Sequence, residues 1–182
     1  VYQEDFLTSD KLAEGQVDVI LSCMVIEHLP PELVDQYFAR CRELLSPGGC
    51  VITLVPASMQ HWGIEDDIAG HFKRYSFECF DDLSEAHKFT LRHISGLTFP
   101  ISNWLLPLSN YLVNKSEQDK TKLTMQERTE LSGNRDVKFK TVYPWYLKAA
   151  LNHVTLFPFF VLQRLFHRSR RSLVIYSELV PH

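Results

Sequence analysis

Residues 17–56 read VDVILSCMVIEHLPPELVDQYFARCRELLSPGGCVITLVP, and this stretch decides the fold. Val17 to Cys23 is a continuous run of mostly β-branched and aliphatic residues, the pattern of a strand buried on both faces. Pro30 and Pro31 suit the opening of a helix, where a missing N–H costs nothing. Leu33, Val34, Tyr37, Phe38, Cys41, Leu44 and Leu45 recur at three- and four-residue steps, which places them on one helix face. Pro47, Gly48 and Gly49 end that helix, and Cys50 to Val55 is the next strand. Strand, helix and strand in this order predict parallel neighbours joined by a right-handed crossover. Ligands of open parallel sheets sit outside the carboxyl ends of the strands. Residues 22–28 and 56–58 occupy those ends, and Glu27 and His28 lie in the first loop.

Outward from this stretch, residues 57–75 form a polar and aromatic loop with His61, Trp62, Glu65, Asp66, Asp67, His71, Lys73, Arg74 and Tyr75. Loops of this kind beside strand ends are where binding and catalysis usually reside. Ser76 suits an N-cap for a helix from Phe77 to about His87, with Phe77, Phe80, Leu83 and Ala86 on its apolar face. Phe89 to Leu97 reads as a further strand with Phe89, Leu91 and Ile94 inward, and Ser172 to Leu179 as the last one. The connection between them is long, a feature that is usually functional or disordered. Its ends, FPISNWLLPLSNYLV and PWYLKAALNHVTLFPFFVLQRLFHRSRR, are apolar with prolines as breakers, and residues 114–140 are polar and charge-dense.

With 182 residues, 45% hydrophobic and 23% charged, the chain has material for one core. A net charge of −3 gives no global preference for nucleic acid, and no nucleic-acid partner is expected. Cys23, Cys41, Cys50 and Cys79 show no CxxC pairing, which suits reduced, buried thiols and a cytoplasmic location. No uncharged apolar run approaches the ~20 residues needed to span a bilayer. The two apolar pieces of this connection are read first as core or homodimer helices, because Phe and Leu at helical spacing are most often buried. Contact with a lipid-linked substrate or peripheral contact with a membrane is the second reading, and the basic end at Arg164, His167, Arg168, Arg170 and Arg171 accords with it.

Three landmarks occur in order: the VxEHL loop with Glu27 and His28, the LxPGG turn at residues 45–49, and the GHxRRY-like run Gly70-His71-Phe72-Lys73-Arg74-Tyr75. Together they resemble the middle of a class I S-adenosylmethionine-dependent methyltransferase of a bacterial-type branch, over Val1 to about Leu97. The resemblance implies an α/β fold, a partial Rossmann-like core holding strands three to seven of a sheet ordered 3-2-1-4-5-7-6. It divides the chain into core at residues 1–98, a helical insertion or substrate cap at 99–171, and the final core strand at 172–182. It implies S-adenosylmethionine as cofactor and a small or lipid-linked acceptor. Val1 to Phe6 looks like the tail of the third strand followed by an acidic–apolar pair, Asp5 and Phe6, that in relatives lies against the adenine ring. Ser22, Cys23 and Glu27 are then the remaining cofactor-side residues. No GxGxG turn occurs in the sequence. Because that turn lets the backbone approach the cofactor, the expectation is a C-terminal portion of a longer protein whose first strands lie upstream.

Methyl transfer from a sulfonium is an in-line displacement, so the protein must align the groups and exclude water. His28 and His71 are the candidate bases for a hydroxyl acceptor, since an unperturbed imidazole titrates near ~6.5. His71, Arg74, Tyr75 and Trp62 are expected to face the acceptor, with Arg74 suited to a phosphate or carboxylate. The alternative for the loop residues is a clamp of loop to sheet. Some relatives bind a divalent metal through an ExxEH loop, but here the first position is Met24, a poor ligand for a hard cation. His71 is the remote third ligand of such a set, and no metal is expected. His61, Glu65, Asp66 and Asp67 are read as a solvated acidic loop. The function expected is O-methylation, and the alternative is a catalytically silent methyltransferase-like module acting through protein–protein contact.

Overall fold

The computed structural model describes residues 5–117 and 151–182. The third-strand tail expected at residues 1–4 lies outside them, as do most of the polar stretch expected at 114–140 and the start of the second apolar piece. Four strands form one mixed sheet: β1 (Val17–Cys23), β2 (Leu45–Pro56), β3 (Phe89–Leu97) and β4 (Val174–Pro181). Its order is β1-β2-β4-β3, with β1 and β2 parallel and β4 antiparallel to both neighbours. This is the 4-5-7-6 order implied for the last four strands, with the final strand inserted between its predecessors. The final strand begins two residues later than the sequence pattern predicts.

The helix α1 (Pro31–Leu44) supplies the crossover from β1 to β2. Val34, Tyr37, Phe38, Cys41 and Leu44 are buried along its apolar face as their spacing requires. They meet Ile20 of β1, Val51 and Val55 of β2, and Ile175 and Leu179 of β4 in a single core. The helix α3 (Phe77–Ala86) covers the far side of the same face through Phe80. Ser76 caps α3 by accepting a hydrogen bond from the Cys79 amide at 3.3 Å. Ala86, expected inward, is exposed, and Ser84 is buried instead with its hydroxyl donating to the Asp81 carbonyl.

The strand β2 starts at Leu45, not at Cys50, because its first residues run past β1 across an irregularity in register. Gly49 makes this approach feasible: a Cβ there would lie 2.9 Å from the Val17 carbonyl oxygen. The expectation that β1 is buried on both faces is corrected. Ile20 and Ser22 face α1 and are buried, whereas Val19 and Leu21 are 54% and 65% exposed on the opposite face. Among the described residues no helix covers that opposite face of β1.

A short helix, α2 (Ile64–Ala69), follows β2, and two longer ones occupy the insertion, α4 (Ile101–Glu117) and α5 (His153–Leu165). Both run through an internal proline, Pro107 and Pro158, where the sequence suggested breaks. Of the core and homodimer readings of these helices, the core one does not hold among the described residues, and the homodimer one stands. Trp104, Leu105 and Leu108 of α4 and Phe157, Phe159 and Phe160 of α5 are exposed. No helix of the described residues is long and apolar enough to cross a membrane.

Candidate functional site

The carboxyl ends of β1 and β2 both pass into turns with unusual backbone. Met24, after β1, has φ of 53°, and Ser58, after β2, has φ of 59°. Left-handed conformations at non-glycine residues cost ~1–3 kcal/mol and gather at functional sites. The chain after Met24 forms a single 3₁₀ turn, Ile26–His28, which carries the two residues of the EH loop.

The second loop is tied onto this turn. Helix α2 ends at Gly70, whose left-handed φ of 73° reverses the chain and brings His71 back over its own helix. The Phe72 amide then donates to the Glu27 carbonyl at 2.7 Å, and the Tyr75 hydroxyl donates to the Ile26 carbonyl at 3.1 Å. These bonds seat His71 beside Glu27 and His28. The His28 and His71 rings meet edge to face with centroids 4.6 Å apart. One ligand atom from each of Glu27, His28 and His71 lies within 4.8 Å of the other two. His71, the remote candidate in the sequence, is thus a member of the cluster.

Asp66 is the hub beneath it. One carboxylate oxygen, Oδ1, accepts from His71 Nδ1 at 2.8 Å and from Arg74 Nε at 2.7 Å, and Oδ2 accepts from the Gly63 amide at 2.8 Å. Burial alone would raise its pKa, but these donors outweigh it and hold the carboxyl below the usual value. Asp66 is fully buried, so its reading as part of a solvated acidic loop is corrected. The signal that could have found it is the Gly63-x-x-Asp66 spacing, since an acidic side chain at the third helical position reaches back to the N-cap amide.

Arg74 and Tyr75 are both bonded within the protein. Arg74 is buried with its guanidinium on Asp66 and on the Ala57 carbonyl, and Tyr75 is buried with its hydroxyl on Ile26. These bonds are of the kind a clamp of loop to sheet makes, and Tyr75 also lines the cavity beside Leu29 and Phe72. Trp62 is half-buried, and its indole N–H donates to Asp67 at 3.0 Å.

Glu27 is the anomaly of the site. It is 0% exposed, and neither carboxylate oxygen finds a hydrogen-bond partner beyond an approach to its own amide. Burial pushes its pKa up to about 7, an effect that its own amide and the nearby His71 only partly offset. His28 is half-buried, its Nδ1 has no partner, and its pKa is lowered, first by burial and then by the charge of His71. Ser22 lies buried on the face covered by α1, while Cys23 is exposed. Asp5 and Phe6 are held by other contacts: Asp5 accepts from the Leu7 amide, and the Phe6 ring packs 5.0 Å from that of Tyr37 on α1. A cavity of about 490 Å³ is lined by Leu29 and Phe72, the chain neighbours of His28 and His71, together with Val34, Met59, Tyr75 and Leu83.

Residues 1–53 match the family described as a methyltransferase domain. The methyltransferase match takes in β1, the Glu27–His28 turn, α1 and most of β2, and it stops before Asp66, His71 and Arg74. No curated protein matches the sequence. Three solved methyltransferase structures show partial likeness. A SAM-dependent methyltransferase from Archaeoglobus fulgidus is 15% identical, over 63% of this chain and 59% of that one, with a TM-score of 0.43. The 1,6-didemethyltoxoflavin-N1-methyltransferase of Burkholderia thailandensis, solved with 1,6-didemethyltoxoflavin and S-adenosylhomocysteine, is 20% identical over 52% and 42%, with a TM-score of 0.42. Phosphoethanolamine N-methyltransferase 2 of Haemonchus contortus is 14% identical over 97% and 36%, with a TM-score of 0.48. The chain therefore spans between 36% and 59% of the length of these three.

Proposed function

We propose that this chain serves S-adenosylmethionine-dependent methyl transfer, with O-methylation of a small or lipid-linked acceptor as the reaction. The observation that carries this reading is the methyltransferase-domain match over residues 1–53, which includes the turn bearing Glu27 and His28. The cofactor would lie outside the carboxyl ends of β1 and β2, against Asp5, Phe6, Ser22, Cys23 and Glu27, and would supply an electrophilic methyl group. The chain's own task is to hold the acceptor in line and to keep water away.

An acceptor entering the cavity between Leu29 and Phe72 approaches the loops of His28 and His71. The lowered pKa of His28 keeps its imidazole neutral at physiological pH, the form that accepts a proton from an attacking hydroxyl. His71 sits ready to share that proton, with its ring oriented by Asp66. Trp62 completes the acceptor side. The exposed phenylalanines of α5 favour an acceptor with a lipid chain. The test is calorimetric titration of S-adenosylmethionine and S-adenosylhomocysteine into this chain and into the natural full-length protein. Saturable one-to-one binding by the full-length protein is expected, and its absence would overturn the reading.

A further inference from the structure

We propose that Glu27, His28 and His71 form a binding site for one divalent transition-metal ion of the zinc class. Three acceptor groups converge there, with ligand atoms within 4.8 Å of one another and both carboxylate oxygens of the buried Glu27 lacking partners. A loop clamp does not explain this arrangement, because a clamp satisfies its buried polar atoms, as Asp66 and Arg74 do here. An unpaired buried carboxylate is costly, and a cation between it and two imidazoles removes that cost.

The outer contacts also suit metal ligation. Ligating histidines almost always have their other ring nitrogen held by a carboxylate, a backbone carbonyl or water. His71 has Nδ1 on Asp66 at 2.8 Å, which leaves Nε2 for the cluster. His28 has backbone hydrogen bonds with Gly70 and Ala69, while its Nδ1 is buried and unpartnered.

Two imidazoles and one carboxylate select zinc, iron, cobalt or nickel over magnesium and calcium, which prefer oxygen ligands throughout. Bonds of about 2.0–2.2 Å place two ligand atoms of one ion at most about 4.4 Å apart, so small side-chain movements complete the set. Three protein ligands leave a further position open for water or an acceptor oxygen. An ion there would lower the pKa of a bound hydroxyl in place of a free imidazole.

The test uses the 182-residue chain after treatment with a chelator, with Cys23→Ser as background so that the exposed thiol binds nothing. Isothermal titration with zinc, nickel and magnesium chlorides is expected to give one zinc or nickel per chain and far weaker binding of magnesium. Glu27→Gln, His28→Ala and His71→Ala should each weaken zinc at least tenfold. Glu27→Gln keeps the side-chain shape and removes a buried charge, so it reports on binding with the fold intact, as circular dichroism will verify. Cobalt should give visible d–d bands without thiolate charge transfer. Absence of saturable zinc binding, or folded Glu27→Gln and His71→Ala chains that bind zinc as tightly as the parent, would overturn the proposal. The proposal does not depend on methyl transfer: a chain that binds cofactor and no metal keeps the functional reading and loses this one.

Discussion

Replacing Asp66 by Asn keeps the side-chain shape and removes the charge that holds Arg74 and His71. The guanidinium of Arg74 is then left buried without a carboxylate, with only neutral acceptors, the Asn amide oxygen and the Ala57 carbonyl 3.4 Å from Nη1, in reach. Breaking a buried ion pair from one side costs about 3–5 kcal/mol, because the remaining charge is neither solvated nor paired. With typical domain stabilities of about 5–15 kcal/mol, the variant should be folded but marginal. Urea denaturation at pH 7 measures this directly, provided that the denaturant slope is unchanged. Arg74→Met alone should cost a similar amount, and the double variant should cost less than the sum by more than about 1 kcal/mol, since the two residues share one bond. The pH dependence follows from the depressed pKa of Asp66. A carboxyl whose folded pKa lies below its ordinary 3.8 contributes stability that is complete above that value and is lost as pH falls through the folded pKa. The gap between parent and Asp66→Asn should therefore be flat from pH 7 to about 4 and narrow below. A cost under about 1 kcal/mol for Asp66→Asn, or additive single variants, would mean that Arg74 is not tied down and is free to meet an acceptor.

Two other outcomes can be checked on the same chain. Ile20→Ala, on the covered face of β1, should cost about 2–5 kcal/mol in urea denaturation, whereas Leu21→Ala, 65% exposed on the other face, should cost about 1 kcal/mol or less; equal costs would show that the outer face is covered. In flotation with anionic vesicles, the chain should rise with the lipid fraction through the exposed phenylalanines of α5 and the basic residues after it, and Phe157→Asp with Phe160→Asp should abolish this; a parent chain that stays at the bottom with lipid in excess would remove membrane contact from the reading.

The elements that the sequence reveals most clearly are those set by local periodicity. The face of α1 is legible because Val34, Tyr37, Phe38, Cys41 and Leu44 follow the helical repeat, and a helix turns that repeat into one buried stripe. The range of β3 agrees with the reading of Phe89 to Leu97 as a strand, which rests on likeness to the family's sixth strand rather than on periodicity. The second face of β1 is not, because an unbroken aliphatic run is the same string whether one face or both are covered. Pro107 and Pro158 mislead in a related way: a proline weakens a helix but does not end it when the flanking residues still form their bonds. In the candidate site, Glu27, His28 and His71 are visible as residue types, while their convergence rests on the Phe72-to-Glu27 and Tyr75-to-Ile26 bonds between distant loops. No spacing rule encodes such pairings, nor the bonds of Arg74 to Asp66 and of Tyr75 to Ile26.

The two buried carboxylates of this site make the strongest contrast in the molecule. Asp66 and Glu27 are both fully buried and both stand close to His71. Asp66 receives three hydrogen bonds, one of them from a guanidinium, so burial is offset and its charge strengthens the fold. Glu27 receives no such partner, and burial raises its pKa to about 7, so its ionised form weakens the fold. A neutral residue at position 27 would serve the packing of the turn better, since the backbone carbonyl of Glu27, not its side chain, carries the bond to Phe72. The side chain is therefore the part of this turn that folding does not require. Its position at the carboxyl end of the parallel strands, beside two imidazoles with fixed outer contacts, is where a ligand would repay the desolvation of the carboxylate.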